Sequence, residues 1–397
     1  MTGISTLGQA LAQIGRIRDQ QILIDTFSTQ LATGKKTQKF SGLGQDVITS
    51  KRARADIQSL ENYINNIKNA DRRIQQTLDA IEAFKQQAEN FQALLVGFSQ
   101  QGVPQKGETV YYDDPLTTSV VEAIPIGLDS SEPSVELETL AEFANNVFNT
   151  FVDLLNIQEG DRYLMSGAET RTKPLADTSA LDAAMSSLLG DWKNGTITTD
   201  QFMADLNDRT TSGGNTDALT DTIVGFSAVL SAGNVKSVYA RVDEKTEVDY
   251  TALATDDAFR NILVAAAYFK NENLGPVVDE VDPNTLAVIT EGAPGANIDE
   301  ATDNFFAIFN NFVASINEAI DDIDQVRFKL ENARVRLDSF KTAHTNQINV
   351  LNDVVSEVED ADINEVAISL NALSFQLEAS YGVTARVQAL SLVNFIT

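Results

Sequence analysis

Apolar residues recur at helical spacing over long stretches at both ends of the chain. Between residues 4 and 31 they fall every three or four positions, and Gly34 follows as a natural helix stop. A second stretch runs from about residue 47 to 98, and the most regular one runs from 309 to 358. A last amphipathic helix is expected over 363–396. The pattern predicts long helices at both chain ends.

The two longest stripes alternate steps of three and four residues, which is typical of helices that pack side by side. A helix this long cannot bury its apolar stripe on itself and needs partner helices. We therefore expect a mainly α fold: long antiparallel coiled-coil-like helices formed by both chain ends, with an inserted α+β outer domain. The residues expected to pack this rod are Ile57, Leu60, Ile64, Ile67, Leu330, Leu337, Phe340 and Leu351.

The outermost helices, residues 4–31 and 363–396, have no other long stripe to pack against except each other. We expect their apolar faces to remain available for neighbouring subunits, so the sequence indicates a subunit of an assembly. The residues predicted to carry these assembly contacts are Leu7, Leu11, Ile14, Leu31, Leu370, Leu373, Leu377, Leu390, Leu392 and Phe395.

The middle of the chain has a shorter-range pattern. Residues 110–133 include Pro115 and Pro125 and short β-prone runs, which predict an extended loop or hairpin. Further on, helical pieces alternate with β-prone runs, of which residues 222–230 are one. The expected division has five parts. Residues 1–45 form a first terminal-helix segment, and 46–160 form an N-terminal rod with a loop at 102–133. Residues 161–300 form an outer α+β domain, 301–360 a C-terminal rod, and 361–397 a second terminal-helix segment.

The charge and the composition of the chain exclude some classes of binding partner. The 397 residues include 29 basic and 57 acidic ones, for a net charge of −28, which argues against nucleic acid or an anionic membrane as partner. Residues 1–100 carry 12 basic and 9 acidic residues, whereas residues 101–300 carry 11 and 34. The acidic middle therefore suits an outer, solvated surface. No stretch is apolar enough to predict membrane insertion.

Candidate chemistry is sparse. The chain has no cysteine and a single histidine, His344, which lies on the rod stripe and is expected to be an interior residue. Gly42-Leu43-Gly44 follows no strand and lacks the third glycine of a dinucleotide motif. The acidic run at Asp360 has Glu365 where a calcium loop needs glycine. We expect no catalytic residue, cofactor or metal; a hydrolase that uses only carboxylates is the remaining enzymatic alternative.

Two groups of basic residues can be interpreted in two ways. They are expected to lie on solvated helix faces, and the alternative is that they pair with acidic faces of neighbouring subunits. These residues are Lys51, Arg52, Arg54, Arg327, Lys329, Arg334 and Arg336.

Several short motifs resemble the bacterial flagellin superfamily. Leu31-Ala32-Thr33-Gly34-Lys35-Lys36 is similar to its N-terminal signature. The start of the last helix at Asp360-Ala361-Asp362, together with its end at Leu390–Phe395, is similar to the C-terminal signature. In the middle, Asp161–Gly167 followed by Lys173-Pro174-Leu175 resembles the hook–filament junction branch of that superfamily. Gly44-Gln45-Asp46-Val47 departs from the Asp-Asp-Pro usual in that branch.

This resemblance implies a structural axial protein of the flagellum, an adaptor between hook and filament that acts through helix-mediated assembly. Implied partners are copies of itself in a ring, the other hook–filament junction protein, flagellin, and an export chaperone before secretion. It further implies an extracellular location, reached by type III export without a cleaved signal peptide. The alternatives are a flagellin-type filament subunit and a secreted coiled-coil effector.

Overall fold

The computed structural model describes residues 3–100, 109–112, 121–125, 133–193, 196–209, 218–271, 279–290 and 298–396. The fold is mainly α, with long helices at both ends of the chain, as the periodicity predicts. The helices are α1 Gly3–Thr33, α2 Val47–Gln100, α3 Pro133–Leu155, α4 Ser179–Lys193, α5 Thr199–Asn207, α6 Asp221–Val224, α7 Ala228–Ser231, α8 Asp257–Asn271, α9 Ile298–Glu359 and α10 Ile363–Ile396. A 3-10 helix, Phe40–Asp46, joins α1 to α2.

The chain divides into two compact units. The terminal unit comprises Met1–Ile64 and Phe340–Thr397, and the central unit comprises Asn65–Ser339. Helices α2 and α9 contribute residues to both units.

In the terminal unit, α1 packs antiparallel to α10. The Gln13 side-chain amide donates to the Thr384 hydroxyl at 2.8 Å, and Gln21 donates to the Tyr381 hydroxyl at 2.7 Å. The first turns of α2 pack on the last turns of α9, where the His344 ring is buried 5.9 Å from the Tyr63 ring. Pairing of these helices brings the two ends of the chain together.

The core of the central unit is a helical cluster rich in aromatic residues. Phe84 of α2 lies 4.4 Å from Phe151 of α3 and 5.2 Å from Phe259 of α8, between ring centroids. On the other side of α8, Tyr268 stacks on Phe312 of α9 at 4.7 Å. Helix α8 is buried from residue 258 to 269 except at residue 261, because it lies between the longer helices. Such complete enclosure explains why it is apolar on nearly every side.

Short strands also belong to the central unit. They are β1 Thr109–Tyr112, β2 Val121–Pro125, β3 Gln158–Glu159, β4 Arg162–Tyr163, β5 Tyr239–Arg241, β6 Glu247–Asp249, β7 Asp279–Val281 and β8 Val288–Thr290. β1, β2, β7 and β8 form one antiparallel sheet in that order, with Val121 opposite Val281. β3–β4 and β5–β6 are separate hairpins. Within residues 110–133, the described part is thus a strand pair.

The expectation of β structure over residues 222–230 is wrong. The segment forms the short helices α6 and α7, separated by Gly225. Gly225 has φ +107°, and a Cβ there would lie 2.5 Å from the carbonyl oxygen of Asp177. The Thr220 hydroxyl accepts from the Ile223 amide and caps α6. Capping and a left-handed glycine therefore outweigh the β propensity of the apolar residues.

Candidate assembly surface

The predicted assembly residues lie on α1 and α10, and many keep apolar surface in contact with solvent. Leu11 is 60% exposed and Ile14 is 59% exposed, and Leu31 is also exposed. Leu370, Leu373 and Leu377 are half-buried along the contact with α1. The side chains of Leu7, Leu390, Leu392 and Phe395 lie outside the described residues. Pairing α1 with α10 thus covers only part of each helix.

A second set of exposed apolar side chains escaped the sequence analysis. Phe375 is 74% exposed, and other large apolar residues on the two helices are also exposed: Ile22, Leu23, Ile368, Tyr381 and Val383. Their signal in the sequence is that α1 and α10 carry apolar residues on more than one side. A helix with two apolar sides needs more than one partner. We call the exposed apolar residues of α1 and α10 the assembly surface.

The predicted rod residues occupy inward positions of α2 and α9. Leu60, Ile67, Leu330 and Leu337 are buried. Ile57, Ile64, Phe340 and Leu351 are half-buried.

Glu359, the last residue of α9, is the centre of a charged cluster. Its carboxylate accepts from Arg54 Nε at 2.8 Å, from Arg54 Nη2 at 2.6 Å and from the Ser50 hydroxyl at 2.6 Å, and Lys35 Nζ lies 3.6 Å away. Lys35 also bonds Asp360. The hydrogen bonds from Arg54, more than any other contact, lower the pKa of Glu359 to about 2. We call Lys35, Ser50, Arg54, Glu359 and Asp360 the latch cluster.

Backbone hydrogen bonds reinforce the latch cluster. The Lys36 amide donates to the Glu359 carbonyl at 2.7 Å, and the Ala361 amide donates to the Gly34 carbonyl at 2.9 Å. Gly34 has φ +69°, so this position ends α1 in a conformation that favours glycine. The Thr-Gly-Lys and Asp360 motifs, 325 residues apart at Lys35 and Asp360, therefore meet in space.

Four of the basic residues predicted on solvated faces also bind acceptors within the chain. Arg54 binds Glu359, Arg327 Nη1 lies 2.9 Å from Glu82, and Arg334 Nε lies 2.8 Å from Asp71. Lys329 donates to the Thr251 carbonyl at 3.0 Å. All four side chains stay at least about one third exposed, so they lie on solvated faces and also bind acceptors on facing helices and hairpins, which a single-helix pattern does not reveal.

The described residues contain no cluster of three or more histidine, cysteine, aspartate or glutamate side chains with metal-site geometry. Across the same residues, no helix is long and apolar enough to cross a membrane. Arg260 is buried, lies 3.3 Å from Asp221 and donates to the Leu219 carbonyl. Arg260 Nε faces Asp221 without a hydrogen bond, so this neighbourhood has the character of a structural ion pair rather than of a fully hydrogen-bonded guanidinium.

Comparison with known proteins finds a family match over the C-terminal helices. Residues 313–396, which span most of α9 and α10, match the model of the bacterial flagellin C-terminal helical region. A solved structure described as that of a flagellar hook-associated protein from Vibrio parahaemolyticus is also similar: TM-score 0.42 at 11% identity, covering 79% of this chain and 97% of that one. That score is too low to support an argument about function. None of the curated proteins matches the chain.

Proposed function

We propose that this protein is a structural axial subunit of the bacterial flagellum, of the flagellin type, that works by helix-mediated assembly and has no enzymatic role. The observation that carries the proposal is the match of residues 313–396 to the flagellin C-terminal helical region. The uncovered apolar side chains of the assembly surface support it, because large exposed apolar patches mark interaction sites. Copies of the same chain are the expected partners on that surface.

Within this class, we propose the role of adaptor between hook and filament. The Asp161–Gly167 motif favours it. In this role the chain forms a ring with its own copies and contacts flagellin on one side and the other junction protein on the other. Before assembly, it leaves the cell through the flagellar type III channel with a chaperone over α10. The alternative, a filament subunit, shares the match at residues 313–396 and differs in what the subunit builds.

Electron microscopy separates these two roles. Purified protein is concentrated with a precipitant, with and without short filament seeds, and in parallel is mixed with isolated hooks. A junction subunit caps hooks and does not polymerise alone, whereas a filament subunit forms long filaments. Failure of both reactions would contradict the axial role and reopen the secreted effector and enzyme alternatives.

Limited proteolysis of the monomer tests the assembly surface independently. If α1 and α10 need neighbouring subunits, a protease removes about the first 40 and last 35 residues and spares the rest. Equal resistance of the chain ends and the central unit in a proven monomer would contradict this expectation.

A further inference from the structure

A groove in the central unit concentrates positive charge in a strongly acidic protein. It has a volume of about 630 Å³ and runs between α2 and the hairpins β3–β4 and β5–β6. Four arginines and two tyrosines line it: Arg72, Arg73, Arg162, Arg241, Tyr239 and Tyr250. We call this the arginine groove. Only two carboxylates, those of Glu159 and Asp161, share the lining, so positive charge is in excess.

Three of the four groove arginines have no carboxylate as a hydrogen-bond or ion-pair partner among the described residues. Arg72 binds Glu159 at 2.6 Å, but Arg73 donates to the Tyr163 carbonyl at 2.7 Å and Arg241 donates to the Glu244 carbonyl at 2.9 Å. Arg162 is exposed and has no hydrogen bond or ion pair to any described residue. Other guanidinium groups of the chain do face carboxylates, as in the pairs Arg54–Glu359, Arg209–Asp221, Arg327–Glu82 and Arg334–Asp71.

Burial makes one of the four charges costly, that of Arg73, whereas Arg72, Arg162 and Arg241 are exposed. Arg73 is buried, and desolvation lowers the pKa of its guanidinium. Tyr250 beside it is half-buried, and burial raises the pKa of its phenol, which therefore stays neutral and cannot compensate the charge. Tyr239 is 54% exposed at the rim and offers an aromatic face. A groove with forked donors, uncompensated charge and an aromatic rim suits carboxylate side chains of an incoming peptide.

We propose that the arginine groove docks an acidic segment from the central part of a second copy of this chain. Residues 101–300 carry 34 acidic residues against 11 basic ones, so every copy presents the complementary charge. The inference rests on the proposed function, since a ring sets copies side by side. It adds a lateral contact through the central unit to the contacts of the assembly surface. This contact also reduces repulsion between acidic neighbours.

Photo-crosslinking tests the docking in the full-length chain. A benzophenone amino acid replaces Tyr239, and the purified protein is irradiated at high concentration, both free and bound to isolated hooks. The expected product is a crosslinked dimer whose crosslinked peptide, identified by mass spectrometry, is an acidic one from residues 101–300. Because exposed ion pairs are screened, the yield falls as the salt concentration rises. No dimer, or a dimer joined through other regions, would overturn the proposal.

Charge reversal provides the matched comparison. Arg162→Glu with Arg241→Glu reverses two exposed charges in the groove, and Arg336→Glu with Lys173→Glu reverses two exposed charges outside it. The groove variant should lose crosslinked dimer about fivefold to tenfold, and the control variant should keep it. Equal yields from the two folded variants, verified by circular dichroism, would overturn the proposal.

Failure of the groove and failure of the proposed function give different results. If hooks are capped normally but the crosslink is absent or insensitive to charge, the groove does not dock a second copy while the axial role stands. If the crosslink forms as described but neither hooks nor seeds are bound, the axial role fails and the groove contact stands. A crosslink to a different protein alone would reject the second copy as the occupant.

Discussion

The two units of this chain use apolar residues in opposite ways. The central unit buries its large side chains around α8, where Phe84, Phe259 and Phe269 are at most 2% exposed. The terminal unit leaves Leu11, Ile14 and Phe375 more than half exposed. The first arrangement is that of a core complete within its own chain, whereas the second leaves large apolar side chains uncovered. Apolar content alone therefore does not reveal whether a helix is complete within its own chain.

The largest expected effect concerns the central core. Phe259→Ala removes a ring that contacts Phe84 and should lower the free energy of unfolding of the central unit by about 3–5 kcal/mol. The single tryptophan, Trp192, is fully buried in this unit, so its fluorescence during denaturant unfolding measures the change. Phe328→Ala is the control, because Phe328 is 65% exposed and its loss should change stability by less than about 0.5 kcal/mol. Similar losses of unfolding free energy in the two variants would contradict the distinction between buried and exposed aromatic residues.

The second-largest effect on stability is expected at the latch cluster. Glu359→Gln keeps the shape of the side chain but removes the charge that Arg54 and Lys35 face, and should weaken local structure by about 1–3 kcal/mol. Hydrogen exchange at the amides of Lys36 and Ala361, which bond across the cluster, measures this opening. Glu357→Gln is the matched control, since Glu357 is exposed and binds Lys36 through its carbonyl. Equal exchange in both variants would show that the charge of Glu359 is unimportant.

Lowering the pH should weaken the stabilisation that Glu359 gives the latch cluster. The pKa of Glu359 lies at about 2 in the folded chain against 4.5 for the free side chain, chiefly because of its hydrogen bonds with Arg54. The native carboxylate thus resists protonation more than the unfolded one, and its contribution is fully present above pH 4.5 and lost as pH falls towards 2. The difference in latch-amide exchange between wild type and Glu359→Gln should shrink over this window. A difference independent of pH would contradict it.

The smallest effect on stability should come from the assembly surface. Phe375→Ser removes a largely exposed ring and should change the unfolding free energy of the monomer by less than about 0.5 kcal/mol. Under the proposed function it should nevertheless reduce hook capping in electron micrographs, whereas Ser374→Ala, its exposed neighbour, should not. A variant that caps hooks as well as wild type would remove Phe375 from the assembly surface.

Several features of the candidate site could not be obtained from the sequence. The motifs at Gly34 and Asp360 were visible, but nothing in either predicts that Ser50 and Arg54 join them around Glu359. Likewise, Arg73 and Arg241 are far apart in sequence and share a groove only because β5–β6 lies beside α2. Such constellations depend on pairing between distant segments, and single-helix periodicity contains no information about it.

The amino-acid sequence by itself determined where the long helices lie along the chain. Apolar spacing defined α1, α2, α9 and α10, because the 3.6-residue period is a property of one segment and its stripe. It also indicated that both ends of the chain seek partners. Only the tertiary structure decided which sides of α1 and α10 cover each other, that β2 pairs with β7, and that Glu359 gathers two basic residues. The physical reason is that these outcomes depend on which surfaces meet, and many pairings satisfy the same pattern of apolar residues.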